Sequence, residues 1–191
     1  MKKINMKKWK VEIVGSTPVL WNVMKRELEL EKKGLKKDQL SEWEENKKNW
    51  CRKAEFDKAG NVIIPDRWFK NAMIESCKKN RIIPHFATRK NETYTNYVRS
   101  CVVLNCGGAL CKKKDLVYDG AYVSINNSKI WRVRPKMENW SATFEIIDPA
   151  ARMKVDELEE MITYAGMMVG IGDNRINNLG RFDIKKIVEV N

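Results

Sequence analysis

Apolar and polar residues alternate along Trp9-Lys10-Val11-Glu12-Ile13-Val14, the period-2 pattern of a strand buried on one face. Gly15-Ser16-Thr17-Pro18 ends it with turn chemistry. From residue 22 to residue 54 the chain is instead dense in Lys, Glu, Leu and Trp, with few breakers. Leu40, Trp43, Lys47, Trp50 and Ala54 recur at helical spacing, which predicts a helix from Asp38, its candidate cap, to Ala54. Residues 22–54 therefore read as a helical insertion into a single domain over 1–191, with its core in 9–21 and 55–191. Ala54 to Pro65 predicts a short hairpin turning at Ala59-Gly60-Asn61. Asp66 is placed to cap a helix in which Trp68, Phe69, Ala72, Met73 and Cys77 share a face. Lys78-Lys79-Asn80-Arg81 ends that helix with cations at the negative end of its dipole.

Residues 81–97 show no period and predict a long loop, a common place for function. Strands are expected over Tyr97 to Asn105 and Leu116 to Ile125. A hairpin is expected over Ile130 to Ile147, its arms Trp131–Arg134 and Ser141–Ile147 flanking a polar turn near Glu138-Asn139. Asp156 opens the clearest helix, with Val155, Leu158, Met161, Ile162, Ala165, Met168 and Val169 as its apolar stripe. It ends at Gly166 or Gly170; a glycine-rich segment and a last strand, Arg181 to Val190, follow. Without the insertions βαββαβ remains. The fold class is thus α+β, a ferredoxin-like, RRM-type core with a helical insertion and an extra β-hairpin. Two helices on one face of an antiparallel sheet leave its other face open for a ligand.

Charge changes the picture most. Lys and Arg total 37 against 25 Asp and Glu, a net charge of +12. Such an excess favours polyanionic partners, with simple lysine-rich solvation as the alternative. No apolar run reaches the roughly 18 to 20 residues of a membrane span, so no membrane partner is expected. Met1-Lys2-Lys3-Ile4-Asn5-Met6-Lys7-Lys8-Trp9 lacks the apolar segment and cleavage site of a secretory signal. The five cysteines, Cys51, Cys77, Cys101, Cys106 and Cys111, form an odd set that fits free thiols in the reducing cytoplasm. The even spacing of the last three raises a zinc question. With no Cys-x-x-Cys pair and His85 far away, neither a metal nor any other cofactor is expected.

Candidate chemistry is sparse. His85 is the only histidine, and no nucleophile elbow, paired-carboxylate or two-histidine metal motif appears, so no catalytic residue is assigned. Gly170-Ile171-Gly172-Asp173-Asn174-Arg175 follows a helix and precedes a strand, the reverse of a dinucleotide or Walker loop. Gly170, Gly172, Asn174, Arg175 and Arg181 would instead let a nucleic-acid backbone approach, while a helix C-cap explains the glycines equally well. Lys129, Arg132, Arg134 and Lys136 interleave with Trp131 and Val133, so Arg132 and Arg134 share a strand face, as in backbone tracking. Trp140, beside the expected turn, is the candidate for stacking on a base. Arg89 and Lys90 add loop cations; Lys112-Lys113-Lys114 fits solvation as well. Trp21, Trp43, Trp50 and Trp68 are assigned to cores or helix contacts, and Met161, Met167 and Met168 to packing.

Three segments carry a resemblance. Val11-Glu12-Ile13-Val14-Gly15-Ser16-Thr17-Pro18-Val19-Leu20 is similar to the first strand and threonine-proline turn of the RAMP superfamily, the RRM-fold proteins of CRISPR effector backbones. Val62-Ile63-Ile64-Pro65-Asp66-Arg67-Trp68-Phe69-Lys70-Asn71-Ala72 resembles its isoleucine-proline helix entry. Gly170 to Arg175, with Gly180-Arg181-Phe182, resembles its glycine-rich loop before the last strand. The resemblance implies a groove for RNA or DNA and head-to-tail assembly of copies along the strand. A stand-alone or virus-encoded relative, acting in a host cell, fits it equally. The leading expectation is sequence-tolerant, non-catalytic binding of single-stranded nucleic acid. The alternatives are a protein-interaction factor, such as a backbone mimic, inhibitor or complex subunit whose contact arm is 22–54, and an RNA-processing endonuclease using His85.

Overall fold

The computed structural model describes residues 6–23, 25–89, 93–107, 111–125 and 128–190, and the side chains of residues 106, 107, 111 and 125 are left aside. In chain order the elements are β1 (Lys7–Gly15), β2 (Val19–Leu20), α1 (Arg26–Lys32), α2 (Lys37–Glu45), α3 (Lys47–Trp50), β3 (Glu55–Phe56) and β4 (Asn61–Ile63). There follow α4 (Asp66–Asn80), α5 (Tyr94–Ser100), β5 (Val103–Gly107), β6 (Cys111–Lys112), β7 (Val117–Ile125), β8 (Ser128–Met137), β9 (Ser141–Asp148), α6 (Val155–Tyr164) and β10 (Phe182–Glu189). The chain is a mixed α and β protein with antiparallel sheets. No helix of the described residues is long and apolar enough to cross a membrane.

The main sheet has the order β10-β1-β9-β5, antiparallel at every pairing. Alternation along β1 turns Trp9, Val11 and Ile13 inward, fully buried, as Phe144 and Ile146 are on β9. Against them α4 sets Phe69, Ala72, Met73 and Cys77, and α6 sets Leu158, Met161 and Ile162. Phe69 stacks on Phe144 at 4.5 Å between ring centroids, so the apolar stripe of α4 lies directly over the sheet. A second sheet has the order β2-β8-β7, and a third, small one the order β3-β4-β6.

Several elements differ from the sequence expectation. β8 and β9 are not arms of one hairpin: β8 pairs with β7 and β2, while β9 pairs with β1 and β5. The chain changes sheets at Glu138–Trp140, and β1 passes into β2 at the same place. Trp140 joins both crossings. Its carbonyl accepts from Gly15 N–H at 2.8 Å, and its indole Nε1 donates to Thr17 O at 2.8 Å. Tyr94–Ser100 is helical where a loop and strand were expected, because Tyr94 and Val98, one helical turn apart, are both buried. The expected 38–54 helix is broken at Asn46, whose side chain accepts from Lys48 N–H and starts α3 anew. Lys36, not Asp38, precedes α2, and Pro65, not Asp66, precedes α4. Beyond α6 the helix widens into a π turn over Ala165–Val169, which leaves Met167 and Met168 exposed rather than packed.

Residues 25–54 lie along one edge of β8. Between Lys129 and Arg134 that strand pairs, among the described residues, with β7 alone. Glu44 on α2 accepts from Val133 N–H at 3.0 Å, and Lys53 donates to Val133 O at 2.6 Å. The helices thus supply by side chain the bonds that a further strand would supply by backbone.

Candidate nucleic-acid interface

The segments that seemed separate along the chain meet in space. The 15–20 turn holds the glycine-rich loop through Gly180 N–H to Pro18 O at 2.7 Å, Asp173 N–H to Leu20 O at 2.9 Å, and Thr17 Oγ1 accepting from Arg181 N–H at 2.8 Å. Gly172 sits at φ 81°, where a β-carbon would press on Leu20 O and approach Trp68. Trp68 and Asn71 of α4 line one small pocket with Ile171, Gly172 and Arg175. Both the first turn and the α4 entry therefore touch the loop.

The basic row of β8 faces the same loop. Alternation sends Trp131, Val133 and Pro135 to one side of β8 and Arg132, Arg134 and Lys136 to the other. Tyr122 and Trp131, paired in register, stand 4.9 Å apart on the aromatic side. On the basic side, Arg132 and Arg134 line a pocket of about 210 Å³ with Asn22, Val123, Asp173 and Asn174. Next to it, a cleft of about 580 Å³ runs past Gly172, Asn174 and Arg175 between Lys79 and Arg181, with Met168 and Ile176 as apolar walls. Ile176 is 94% exposed.

Arg132 is half-buried in the small pocket. Arg134 is buried at 3% exposure, its Nη1 3.4 Å from Asp173 Oδ2, and so is no part of an exposed arginine row. Lys136 pairs with Glu138 at 2.6 Å, and Lys129 stands exposed at the far end of β8 with Lys37, Tyr122 and Trp131. Arg175 pairs with Glu75 at 3.2 Å; Lys79, bonded to the same carboxylate at 2.7 Å, and then Arg175 hold Glu75 below the usual carboxylate range. Arg181 is largely structural: its Nη2 donates to Arg175 O and to Asn178 Oδ1, while burial and the Arg175 charge push its guanidinium below its ordinary pKa. Asn174 lines the cleft in a left-handed conformation, φ 58°. Gly170 is buried and ends the π turn.

Some expectations are corrected. Trp140 does not offer a ring to a base: it is 4% exposed and packs over Gly15 and Phe182. A tryptophan at a sheet switch has both crossing strands to cover, and the sequence pattern placed it on a solvent turn instead. Arg89 is exposed in the connection after α4, and no hydrogen bond or ion pair among the described residues joins it to β8 or to the loop. Lys90 lies outside the described residues, and so do the side chains of Cys106 and Cys111. The open face of the main sheet, the expected ligand face, carries Lys8, Lys10, Glu12, Val14, Thr143 and Glu145, with Lys8 and Glu145 paired at 3.4 Å. It has mixed charge and, among the described residues of β1 and β9, no aromatic ring.

Sequence reasoning does not single out Asn22, Glu75, Lys79 or Asp173 as site residues: Lys79 reads as a helix-end cation and Asp173 only as part of the glycine-rich loop, while Asn22 and Glu75 stand in no basic or glycine-rich run. His85 is tied down rather than free. Its ring Nδ1 and backbone N–H both meet the Glu157 carboxylate at 2.8 Å, and Tyr94 OH donates to Glu157 at 2.7 Å. Burial alone would raise Glu157, but these bonds hold it below the usual range, and burial with the nearby carboxylate pushes the Tyr94 phenol up.

No family model matches the chain, and no curated protein matches it. Among solved structures, a chain of the cryo-EM structure of the Type III-B Cmr-beta complex bound to cognate target RNA is similar at a TM-score of 0.53 and 14% identity. The match covers 97% of this chain but only 61% of that one, so this chain spans less than two thirds of its length. What the two have in common, at that identity, is a fold.

Proposed function

We propose that this protein is a non-catalytic binder of single-stranded nucleic acid, sequence-tolerant, holding the strand where β8 meets the glycine-rich loop. The observation that carries the reading is the convergence of Arg132 and Arg134 with Asp173 and Asn174 in one pocket, beside the cleft of Lys79 and Arg175. Two cationic motifs about 40 residues apart thus line neighbouring pockets that share Asp173 and Asn174, an arrangement that suits backbone tracking. The order of the main sheet, with α4 between β1 and β5 and α6 between β9 and β10, supports a ferredoxin-like core. Its likeness in fold to a chain from an RNA-bound complex supports a RAMP-type reading, with RNA or DNA as ligand and with copies or other proteins as neighbours along the strand. Met168 and Ile176 offer apolar contact to a base without sequence readout.

The test is fluorescence anisotropy of labelled poly-U, poly-dT and duplex oligomers at several salt concentrations. Single strands should bind more tightly than duplex, with affinity falling steeply as salt rises. Replacing Arg132 and Arg175 together by Ala should flatten the log–log salt slope by about 1.4, two single-strand phosphate contacts. An unchanged slope would sink the site, and no binding at low salt would sink the reading.

A further inference from the structure

A guanidinium has five N–H donors and stays charged at any physiological pH, so burying one calls for acceptors on several sides. Arg134 is 3% exposed, yet its ion-pair partner is a single carboxylate oxygen, Asp173 Oδ2, at 3.4 Å. That exceeds the roughly 2.7–2.9 Å of a charge-assisted hydrogen bond. Among the described residues its Nε is buried without an acceptor. Asn22, on the wall of the same pocket, has its Oδ1 buried without a donor among the described residues. Unmet polar atoms of this kind are rare in folded proteins and call for a physical account.

Asp173 is fixed in its backbone but not in its side chain. Its N–H is held by Leu20 O, and its neighbours Gly172 and Asn174 both have left-handed backbones, φ 81° and 58°. The side chain is 38% exposed, so rotation about χ1 takes the carboxylate off Arg134 without moving the loop. Arg132 stands beside Arg134 on the same strand face, ready to share an anion.

We propose that Arg134 and Arg132 form a preorganised seat for one phosphodiester of the strand, and that the Asp173 carboxylate is a stand-in displaced when the phosphate enters. A phosphodiester brings two non-bridging oxygens, enough to meet a guanidinium in the bidentate manner that one carboxylate oxygen at 3.4 Å does not. The loop therefore carries its own competitor, and the strand binds with the difference between the two contacts. The inference rests on the strand-binding reading above.

Asp173→Asn tests it, since the change keeps the volume and removes the charge at a half-exposed loop position. Poly-U and poly-dT should bind about fivefold more tightly to the variant, the upper end of what removing one such ion pair releases. In an Arg134→Lys background the gain should shrink below about twofold, because the seat has lost its fork. If Arg134→Lys does not fold, Arg132→Gln serves as the background. Wild-type strand binding that is unchanged or weakened by Asp173→Asn overturns the phosphate seat and leaves the strand-binding reading standing. Failure of the wild-type protein to bind any strand at low salt overturns both.

Discussion

Glu44 and Lys53 are each about 97% out of solvent contact and bonded to one another, with Lys32 on the second Glu44 oxygen at 2.5 Å. Burial by itself would raise the Glu44 carboxyl; the bonds from Lys32, Lys53 and Val133 N–H win and hold it below the ordinary 4.5. Burial pushes Lys53 down to about 8 against the pull of Glu44. A buried pair of this kind adds little net stability when whole, yet breaking it strands a charge. Glu44→Gln should cost about 3–5 kcal/mol in chemical denaturation, since Lys53 loses its counter-charge and Val133 N–H its acceptor. The pH dependence has a definite sign. Glu44 and Glu157 are both held below 4.5 in the folded chain, so as acid is added the unfolded chain binds protons first. The stability they contribute is full above about pH 4.5 and lost as pH falls through their folded values. Glu44→Gln should therefore also flatten the acid limb of a stability–pH curve, and an unaltered limb would show that Glu44 does not set it.

Between elements, what matters is where strands change partners. The main sheet and the β2-β8-β7 sheet share two chain crossings, at 15–18 and at 138–140, and the glycine-rich loop closes over the first of them. Gly180 shows how tight that closure is: it has φ 71°, and a β-carbon there would overlap the Ile171 carbonyl. Gly60, in the turn between β3 and β4, has φ 81° but open space around it. Gly60→Ala should thus cost only backbone strain, about 1 kcal/mol, whereas Gly180→Ala should cost about 3 kcal/mol or more and loosen the loop. Thermal denaturation of the two variants checks the ranking; equal losses would mean that the loop does not close over the turn as described. The same logic explains residues 25–54: a strand with an open edge binds whatever covers it, and here Glu44 and Lys53 tie the cover to Val133.

On the scale of the whole molecule, charge is distributed unevenly enough to separate two surfaces. The open face of the main sheet mixes Lys8 and Lys10 with Glu12 and Glu145, while β8 and the glycine-rich loop gather Arg132, Arg134 and Arg175 around a cleft. If net charge alone attracted the strand, any lysine would serve. The cleft reading expects otherwise. Replacing Lys8 and Lys10 by Gln should leave strand affinity within about twofold, the effect of distant charges screened over a Debye length of about 8–10 Å. Replacing Arg132 and Arg175 should lower it about tenfold, as contacts with phosphates do. Equal effects of the two pairs, measured by anisotropy at one salt concentration, would favour a general field over a site.

The sequence by itself determined the elements whose signal is local. β1, α4, α6 and β10 follow from apolar spacing that one face of one element satisfies, and the hairpin read as turning at Ala59-Gly60-Asn61 from its glycine, which has φ 81° between β3 and β4. The basic row of β8 and the glycine-rich loop were legible too, because alternation and positive φ leave marks on residue type. Tertiary structure alone decided which strands pair. That is why β8 and β9, adjacent in sequence, part company at Trp140, and why a tryptophan that reads as a solvent-facing platform is buried in the core. It also decided that Arg134 is buried against Asp173, two residues 39 positions apart whose pairing no local pattern records. The physical reason is common to both. Strand partners, burial and charge pairing are contacts between distant parts of the chain, fixed by the packing of the whole core and not by the period of any one segment.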